Sequence, residues 1–220
     1  MIKYFTFLSF QEDIHPFSEQ PLTQQVLLSV LRDYRRPFDK INELSRQGYL
    51  LAVKRGLYIP GPKLRMARPD PFLLANHVYG PSYVSLESAL SHWGMIPERV
   101  METVSVTTKF AKKYDTPAGR FTYVHMPLPY YALGIQSLLL TERQQVLIAS
   151  PEKALCDKII ATSGIFLRSK KQTMAFLLED LRISEESIKS LRVDLIEEWS
   201  QHAPKQSSLE MLVKTLRGLK

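Results

Sequence analysis

Two short apolar segments, Tyr49–Val53 and Leu57–Ile59, flank a turn that contains Gly56. Apolar runs on either side of a glycine turn predict a β-hairpin, and two predicted helices precede it. The order helix, helix, hairpin is typical of a winged helix-turn-helix domain. A full domain of this kind has three helices. Residues before Pro21 must therefore supply the third helix, or the domain is a trimmed one.

The two helices before the hairpin have recognisable starts. Thr23 is placed to cap the first helix, which the apolar spacing carries to about Tyr34. Proline suits the first turn of a helix because it lacks the N–H that would be unpaired there, so Pro37 begins the second helix. The apolar face of that helix is predicted from residues spaced by three, Phe38, Ile41 and Leu44.

The positive charge of the chain is concentrated in this region. The whole chain has 29 basic and 22 acidic residues, for a net charge of +7, and the segment Leu22–Arg65 has nine basic residues against three acidic ones. A basic module suggests an anionic partner such as nucleic acid. We predict phosphate contacts at the hairpin tip and just before the second helix, from Lys54, Arg55, Arg35 and Arg36. The alternative is a solvated basic surface with no partner.

The middle of the chain contains predicted strands. Alternating residues predict strands at Thr103–Thr108 and Arg120–His125, with Tyr114–Gly119 turning between them. An apolar run predicts a third strand at Gln145–Ala149.

Helices separate these strands. Phe72–Asn76 reads as one helix, Ser85 is placed to cap another that stops at Gly94, and Ser150 caps a third that stops at Gly164. Mixed elements in this order predict an α+β protein, with a winged helix-turn-helix followed by a mixed α/β domain.

After Gly164 the pattern is helical. Apolar residues recur at helical spacing, and Ser207–Glu210 reads as a capping box for the last helix. These helices either complete a core or offer a docking surface. We therefore predict three parts: residues 1–66, a DNA-binding winged helix; residues 67–164, an α/β domain; and residues 165–220, its helical extension.

Five blocks of sequence in the central region resemble the AbiEi family of antitoxins, in the order and approximate spacing of that family. They are Tyr83–Leu90 (YVSLESAL), Gly94–Glu98 (GMIPE), Val104–Lys109 (VSVTTK), Asp115–Tyr123 (DTPAGRFTY) and Ile148–Asp157 (IASPEKALCD). Arg55–Tyr58 also resembles the wing of the family's N-terminal domain.

The resemblance implies a bipartite antitoxin. Its N-terminal winged helix would bind operator DNA and repress its own operon, and the rest would counter a nucleotidyltransferase-like toxin encoded nearby. Independently of the resemblance, paired half-sites in an operator would favour two copies on the DNA. The implied DNA contacts are Arg35, Arg36, Lys40, Arg46, Lys54 and Arg55. It implies no cofactor, and the surface that counters the toxin is left unknown. A stand-alone transcriptional regulator without a toxin is the alternative function.

Candidate catalytic groups have simpler explanations. Ser85 and Ser88 lie near Glu87 and His92, but the G-x-S-x-G motif of hydrolases is absent from this segment. The five histidines, His15, His77, His92, His125 and His202, show no metal-ligand spacing. We predict that the protein is not an enzyme and binds no metal.

A metal-dependent nuclease remains the third interpretation, with Glu152, Lys153 and Asp157 as its residues. The acid and the lysine are adjacent at a helix start, whereas nucleases usually place them one residue apart on a strand.

The composition favours a cytoplasmic protein. One cysteine, Cys156, cannot form an internal disulfide, and we expect it to pack in the core. Apolar runs are shorter than a membrane span, so no membrane partner is expected. Met1–Phe10 is short for a signal peptide and precedes acidic residues.

Overall fold

A computed structural model describes residues 7–98 and 100–219, and it combines ten α-helices in these ranges with two β-sheets. The predicted α+β class is therefore confirmed. The expectation about Met1–Phe10 falls mostly outside the described residues. Within residues 7–98 and 100–219, no helix is both long and apolar enough to cross a lipid bilayer.

The N-terminal module, residues 7–66, contains three helices and a small antiparallel sheet with strand order β1-β3-β2. Its elements are α1 (Phe7–Ile14), β1 (Leu22–Thr23), α2 (Gln24–Val30), α3 (Pro37–Arg46), β2 (Leu50–Lys54) and β3 (Leu57–Pro60). Helix α1 lies before Pro21, in the segment where no helix was predicted from the sequence pattern.

Local chemistry explains most of these boundaries. The Thr23 hydroxyl accepts a hydrogen bond from the backbone N–H of Val26 at 3.3 Å, as an N-cap should. Helix α2 ends at Val30, not near Tyr34 as predicted, because the Tyr34 N–H turns back to the Leu31 carbonyl at 3.0 Å. At the hairpin turn, Gly56 adopts φ +78°, which favours glycine.

The larger sheet has six strands in the order β6-β7-β5-β4-β9-β8. They are β4 (Ser82–Val84), β5 (Thr103–Thr107), β6 (Lys112–Thr116), β7 (Gly119–His125), β8 (Ile135–Thr141) and β9 (Gln144–Ala149). The sheet is mixed, because β4 pairs in parallel with β9 and β5 pairs in parallel with β7.

Neither edge strand of this sheet, β6 or β8, was predicted from the sequence. The turn predicted over Tyr114–Gly119 is wrong, because Tyr114–Thr116 belongs to β6 and pairs with β7. Strand β8 was not predicted at all. Neither strand alternates: Tyr114 is the one apolar residue of β6 (KKYDT), and β8 (IQSLLLT) contains the continuous run Leu138–Leu140.

Helices pack on this sheet and beyond its end. They are α4 (Pro71–Val78), α5 (Leu86–His92), α6 (Pro151–Ala161), α7 (Lys170–Ala175), α8 (Glu185–Ser190), α9 (Val193–Ser200) and α10 (Gln206–Arg217). A π-helical turn, Phe176–Asp180, continues α7. The predicted capping box at Ser207–Glu210 is wrong: α10 begins at Gln206, and the Ser208 hydroxyl accepts the Leu167 N–H at 3.2 Å.

Two clusters of buried apolar side chains hold the protein together. The smaller one lies within the N-terminal module and includes Ile14, Leu27 and Leu44. The larger one covers the six-stranded sheet and also takes in residues of the C-terminal helices and of the β2–β3 hairpin, among them Leu212 and Ile59. The hairpin therefore packs against the central part of the protein.

Candidate functional site

Four of the six predicted DNA-contacting residues are exposed in the N-terminal module. Arg35 and Arg36 precede α3, Arg46 ends it, and Arg55 lies in the turn of the β2–β3 hairpin. Arg36 has one distant carboxylate neighbour, with 3.8 Å between its guanidinium and the Asp39 carboxylate. Among the described residues, the other three have no ion pair within 4 Å. Their charges are available to a partner.

Lys40 and Lys54 are half-buried and already have partners. The Lys40 ammonium lies 2.8 Å from the Glu43 carboxylate, whose pKa it lowers by hydrogen bonding. Lys54 is the last residue of β2 and not part of the turn. Its ammonium donates to the Val78 carbonyl at 2.6 Å, at the C-terminal end of α4. This bond joins the hairpin to the central part of the protein.

Helix α3 exposes one apolar side chain that the sequence analysis placed in the core. Ile41 and Leu44 are buried, but Phe38 is 56% exposed. The predicted apolar face is therefore wrong at Phe38. Phe38 lies in the first turn of α3, two residues after the exposed Arg36. A spacing of three residues shows which side chains share a helix face, but not which of them the core covers.

A second group of polar residues is buried around Asp157 in helix α6. Its carboxylate accepts hydrogen bonds from the hydroxyls of Tyr83 and Ser85, at 2.9 and 2.7 Å, and from the hydroxyl of Tyr130 at 2.9 Å. The Lys153 ammonium, one helical turn earlier, forms an ion pair with it at 2.9 Å. Asp157 is fully buried, and its two oxygens have four partners. We call these five residues the Asp157 network.

Lys153 is held on several sides within this network. Its ammonium donates to the Tyr130 carbonyl at 3.0 Å and lies 3.2 Å from the centre of the Tyr130 ring. Burial lowers the pKa of Lys153, while the Asp157 carboxylate acts in the opposite direction. Burial, reinforced by the charge of Asp157, raises the pKa of both Tyr83 and Tyr130. Such a network holds its charges in fixed positions.

Four residues of the Asp157 network come from two of the sequence blocks. Tyr83 and Ser85 come from the block YVSLESAL at β4 and the start of α5, whereas Lys153 and Asp157 come from IASPEKALCD at the start of α6. Ser85 occupies the N-cap position of α5, as predicted, but its side chain makes no capping hydrogen bond. The predicted capping chemistry is therefore wrong, because the Ser85 hydroxyl binds Asp157 instead.

The start of α6 is built to place these side chains. Ser150 caps the helix by accepting the Lys153 N–H at 3.2 Å, as predicted, and Pro151 occupies its first turn. Gly134 adopts φ +67° and approaches closely, since a Cβ there would lie 2.7 Å from Trp199 and 2.8 Å from the Cβ of Lys153. A side chain at residue 134 would therefore displace Lys153.

The other residues considered for catalysis, Glu152, Ser88 and Cys156, also have structural roles. Glu152 is buried and accepts the Arg192 N–H at 3.1 Å. Ser88 accepts the Val104 N–H at 2.8 Å. Cys156 is fully buried, as expected, and burial raises the pKa of its thiol. In residues 7–98 and 100–219, no three His, Cys, Asp or Glu side chains are grouped as metal ligands would be.

Comparisons with known proteins show what this chain resembles in fold. No protein-family profile matches the sequence, and no curated protein matches it. Among solved structures, the chain is similar to the Rv2827c protein from Mycobacterium tuberculosis, with 17% sequence identity and a TM-score of 0.62. The similarity covers 95% of this chain and 76% of that one. At this level of identity the two proteins share a fold, and the likeness carries no function with it.

Proposed function

We propose that this protein is an AbiEi-like antitoxin that binds operator DNA through its N-terminal module and represses its own operon. In this proposal the N-terminal module is a winged helix-turn-helix, with β2 and β3 as its wing. The rest of the protein counters a nucleotidyltransferase-like toxin.

The observation that carries the DNA-binding half is the set of exposed arginines on one small module. Arg35, Arg46 and Arg55 have no carboxylate within 4 Å among the described residues, and Arg36 has only a distant one. Uncompensated charges repel each other, so a bound polyanion relieves that repulsion. Guanidinium groups also bind phosphate oxygens in a bidentate way, which fixes the protein on the duplex.

Helix α3 offers a mixed surface for base contacts. Its exposed side chains include Phe38, Asp39 and Asn42, and the exposed Gln47 directly follows its last residue. Amide side chains can bind adenine by two hydrogen bonds, and an apolar ring can contact the methyl group of thymine. The DNA contact proposed for α3 therefore combines phosphate binding at its ends with base reading along its length.

The antitoxin half is supported by the resemblance of the five sequence blocks. The Asp157 network uses two of those blocks for the interior, so the residues that counter the toxin belong to the surface of the same scaffold. Glu152, Lys153 and Asp157, which a nuclease would need at its surface, are buried. Nothing in the geometry favours the nuclease over the antitoxin.

A titration of the purified protein against its own upstream DNA and a scrambled duplex, across a salt series, tests the DNA-binding half. We expect at least about tenfold preference for the upstream DNA, or about 1.4 kcal/mol. We also expect log Kd to follow log salt with a slope of about 4 to 5, from about five neutralised phosphates. Equal, weak binding to both duplexes would contradict operator recognition.

Charge-matched variants make this titration specific. Arg35→Ala/Arg36→Ala should reduce the salt slope by about two. Lys170→Ala/Lys171→Ala removes the same charge from exposed residues of α7 and should leave the slope unchanged. If both variants lower the slope equally, net charge and not the N-terminal module is responsible.

Co-expression with the toxin encoded beside this gene tests the antitoxin half. We expect the full chain to restore growth, and Arg35→Ala/Arg36→Ala to restore it as well, because the two activities use different surfaces. The absence of a neighbouring toxin gene, or a failure to restore growth, would favour the stand-alone regulator.

A further inference from the structure

Beyond the N-terminal module, a second basic surface lies on the loop between β5 and β6. Lys109, Phe110 and Lys112 are all exposed there, and Phe110 is 90% exposed. The half-buried Lys54 borders them from the hairpin. We call Lys54, Lys109, Phe110 and Lys112 the central basic patch.

Interactions with the neighbouring backbone and rings hold this patch in place. The Lys109 ammonium donates to the Gly80 carbonyl at 2.6 Å, two residues beyond the Val78 carbonyl that binds Lys54. The Tyr79 ring lies 5.3 Å from the Lys109 ammonium and 5.7 Å from that of Lys112. The loop is therefore fixed, and Phe110 projects from it.

The ammonium groups of the patch influence one another. Burial lowers the pKa of Lys54, and the charges of Lys109 and Lys112 lower it further. Among residues 7–98 and 100–219, none of the three lysines has a carboxylate within 4 Å. The patch is a positive surface held together by carbonyls and aromatic rings.

Strand β6 separates this surface from a different one. Successive side chains of a strand point to opposite faces, so Lys112 and Tyr114 share a face, and the Lys112 ammonium lies 5.0 Å from the Tyr114 ring. Lys113 points to the other face. It pairs in register with Thr122, whose hydroxyl donates to the Glu102 carboxylate at 3.2 Å.

We propose that the central basic patch is a second contact for duplex DNA, with phosphates bound at Lys109 and Lys112 and Phe110 packed against a sugar or base edge. Lys54 belongs to the β2–β3 hairpin of the N-terminal module, and the charges of Lys109 and Lys112 act on it, so the patch borders that module. Lysines held by carbonyls and rings, with an exposed aromatic residue between them in the chain, fit a polyanion with apolar sugar and base edges. This inference rests on the proposed DNA-binding function.

The test compares Lys112→Ala with Lys113→Ala in the same titration against the upstream duplex. The two residues are adjacent, exposed and equally charged but point to opposite faces, which makes them a matched pair. We expect Lys112→Ala to weaken binding about threefold to tenfold and to reduce the salt slope by about one, and Lys113→Ala to change neither. Phe110→Ala should weaken binding about threefold with an unchanged slope, because it removes no charge.

The outcomes separate this inference from the proposed function. If the native protein binds the duplex and Arg35→Ala/Arg36→Ala weakens it, but Lys112→Ala behaves like Lys113→Ala, the patch is not a DNA contact and the N-terminal proposal stands. If the native protein binds no DNA, both proposals fall. If Phe110→Ala and Lys112→Ala abolish growth restoration but keep native DNA binding, the patch binds a protein and the inference is overturned.

Discussion

Lys153 is fully buried and lies 2.9 Å from the Asp157 carboxylate, whereas Arg55 is exposed and has no ion pair within 4 Å among the described residues. Both lie in sequence blocks on which the proposed function rests, yet their environments differ completely. The charged side chains of the Asp157 network pair with each other and with buried hydroxyl groups, whereas four arginines of the N-terminal module are exposed to solvent. The comparison shows that a charged side chain of a motif is available to an outside partner only where it lacks an internal one.

The largest effect is expected from Asp157→Asn, which breaks the buried ion pair but keeps the size of the side chain. Leaving Lys153 buried without its counter-charge should reduce the free energy of unfolding by about 3–5 kcal/mol. Urea denaturation measures this change. Lys189→Ala, which breaks an exposed pair with Glu185 at 3.5 Å, should change it by less than about 0.5 kcal/mol. Equal effects would contradict the difference between buried and exposed charges.

The second prediction concerns alkaline pH. The pKa of Tyr83 and Tyr130 is raised by burial above the ordinary 10.0, so the unfolded chain releases these protons first. Above about pH 10 the unfolded state then binds fewer protons than the folded state, and stability falls by up to about 1.4 kcal/mol per pH unit for each tyrosine. Cys156, with its raised pKa, starts this fall near its ordinary 9.0.

Unfolding free energies measured across this pH range check the prediction. Tyr130→Phe should make the decline shallower by about one proton above pH 10, because it removes one titrating group. A stability that stays level above pH 10, or a decline that Tyr130→Phe leaves unchanged, would show that these tyrosines do not stay protonated in the folded state.

The third prediction separates two roles for Ser85. Ser85→Ala should cost about 1–3 kcal/mol of unfolding free energy, because the Asp157 carboxylate loses a hydrogen-bond donor. In the Asp157→Asn background the same substitution should cost clearly less, since the charge that the hydroxyl serves is gone. A double-mutant cycle by urea denaturation measures the coupling. An equal cost in both backgrounds would contradict a role for the Ser85 hydroxyl in stabilising the Asp157 carboxylate.

The smallest change in stability is expected from Phe38→Ala in the N-terminal module. Because the ring is 56% exposed, the free energy of unfolding should change by less than about 0.5 kcal/mol. Ile41→Ala, three residues away and buried, should cost about 2–5 kcal/mol. Affinity for the upstream DNA should fall about threefold, or about 0.6 kcal/mol, in Phe38→Ala. A large loss of stability in Phe38→Ala would place this ring in the core after all.

Much of the local structure was predictable from short-range chemistry. The caps at Thr23 and Ser150, the hairpin turn at Gly56 and the central strands follow from residues within a few positions of each other. The edge strands β6 and β8 were missed because neither alternates: β6 has Tyr114 as its one apolar residue, and β8 contains the run Leu138–Leu140. The exposed position of Phe38 was missed for a related reason: helical spacing states which residues share a face but not how far the core beneath it extends.

The candidate sites divide in the same way. Composition and periodicity, which can be read within one segment, were enough to predict the α+β class, the basic N-terminal module and the residues that carry its charge. The folded structure was needed to show that Tyr83 and Ser85 meet Asp157, which lies 74 and 72 residues later in the chain, in one buried network. It alone also brought Lys54 beside Lys109 and Lys112. The physical reason is that burial and the pairing of charges depend on contacts between distant segments, which no spacing within one segment encodes.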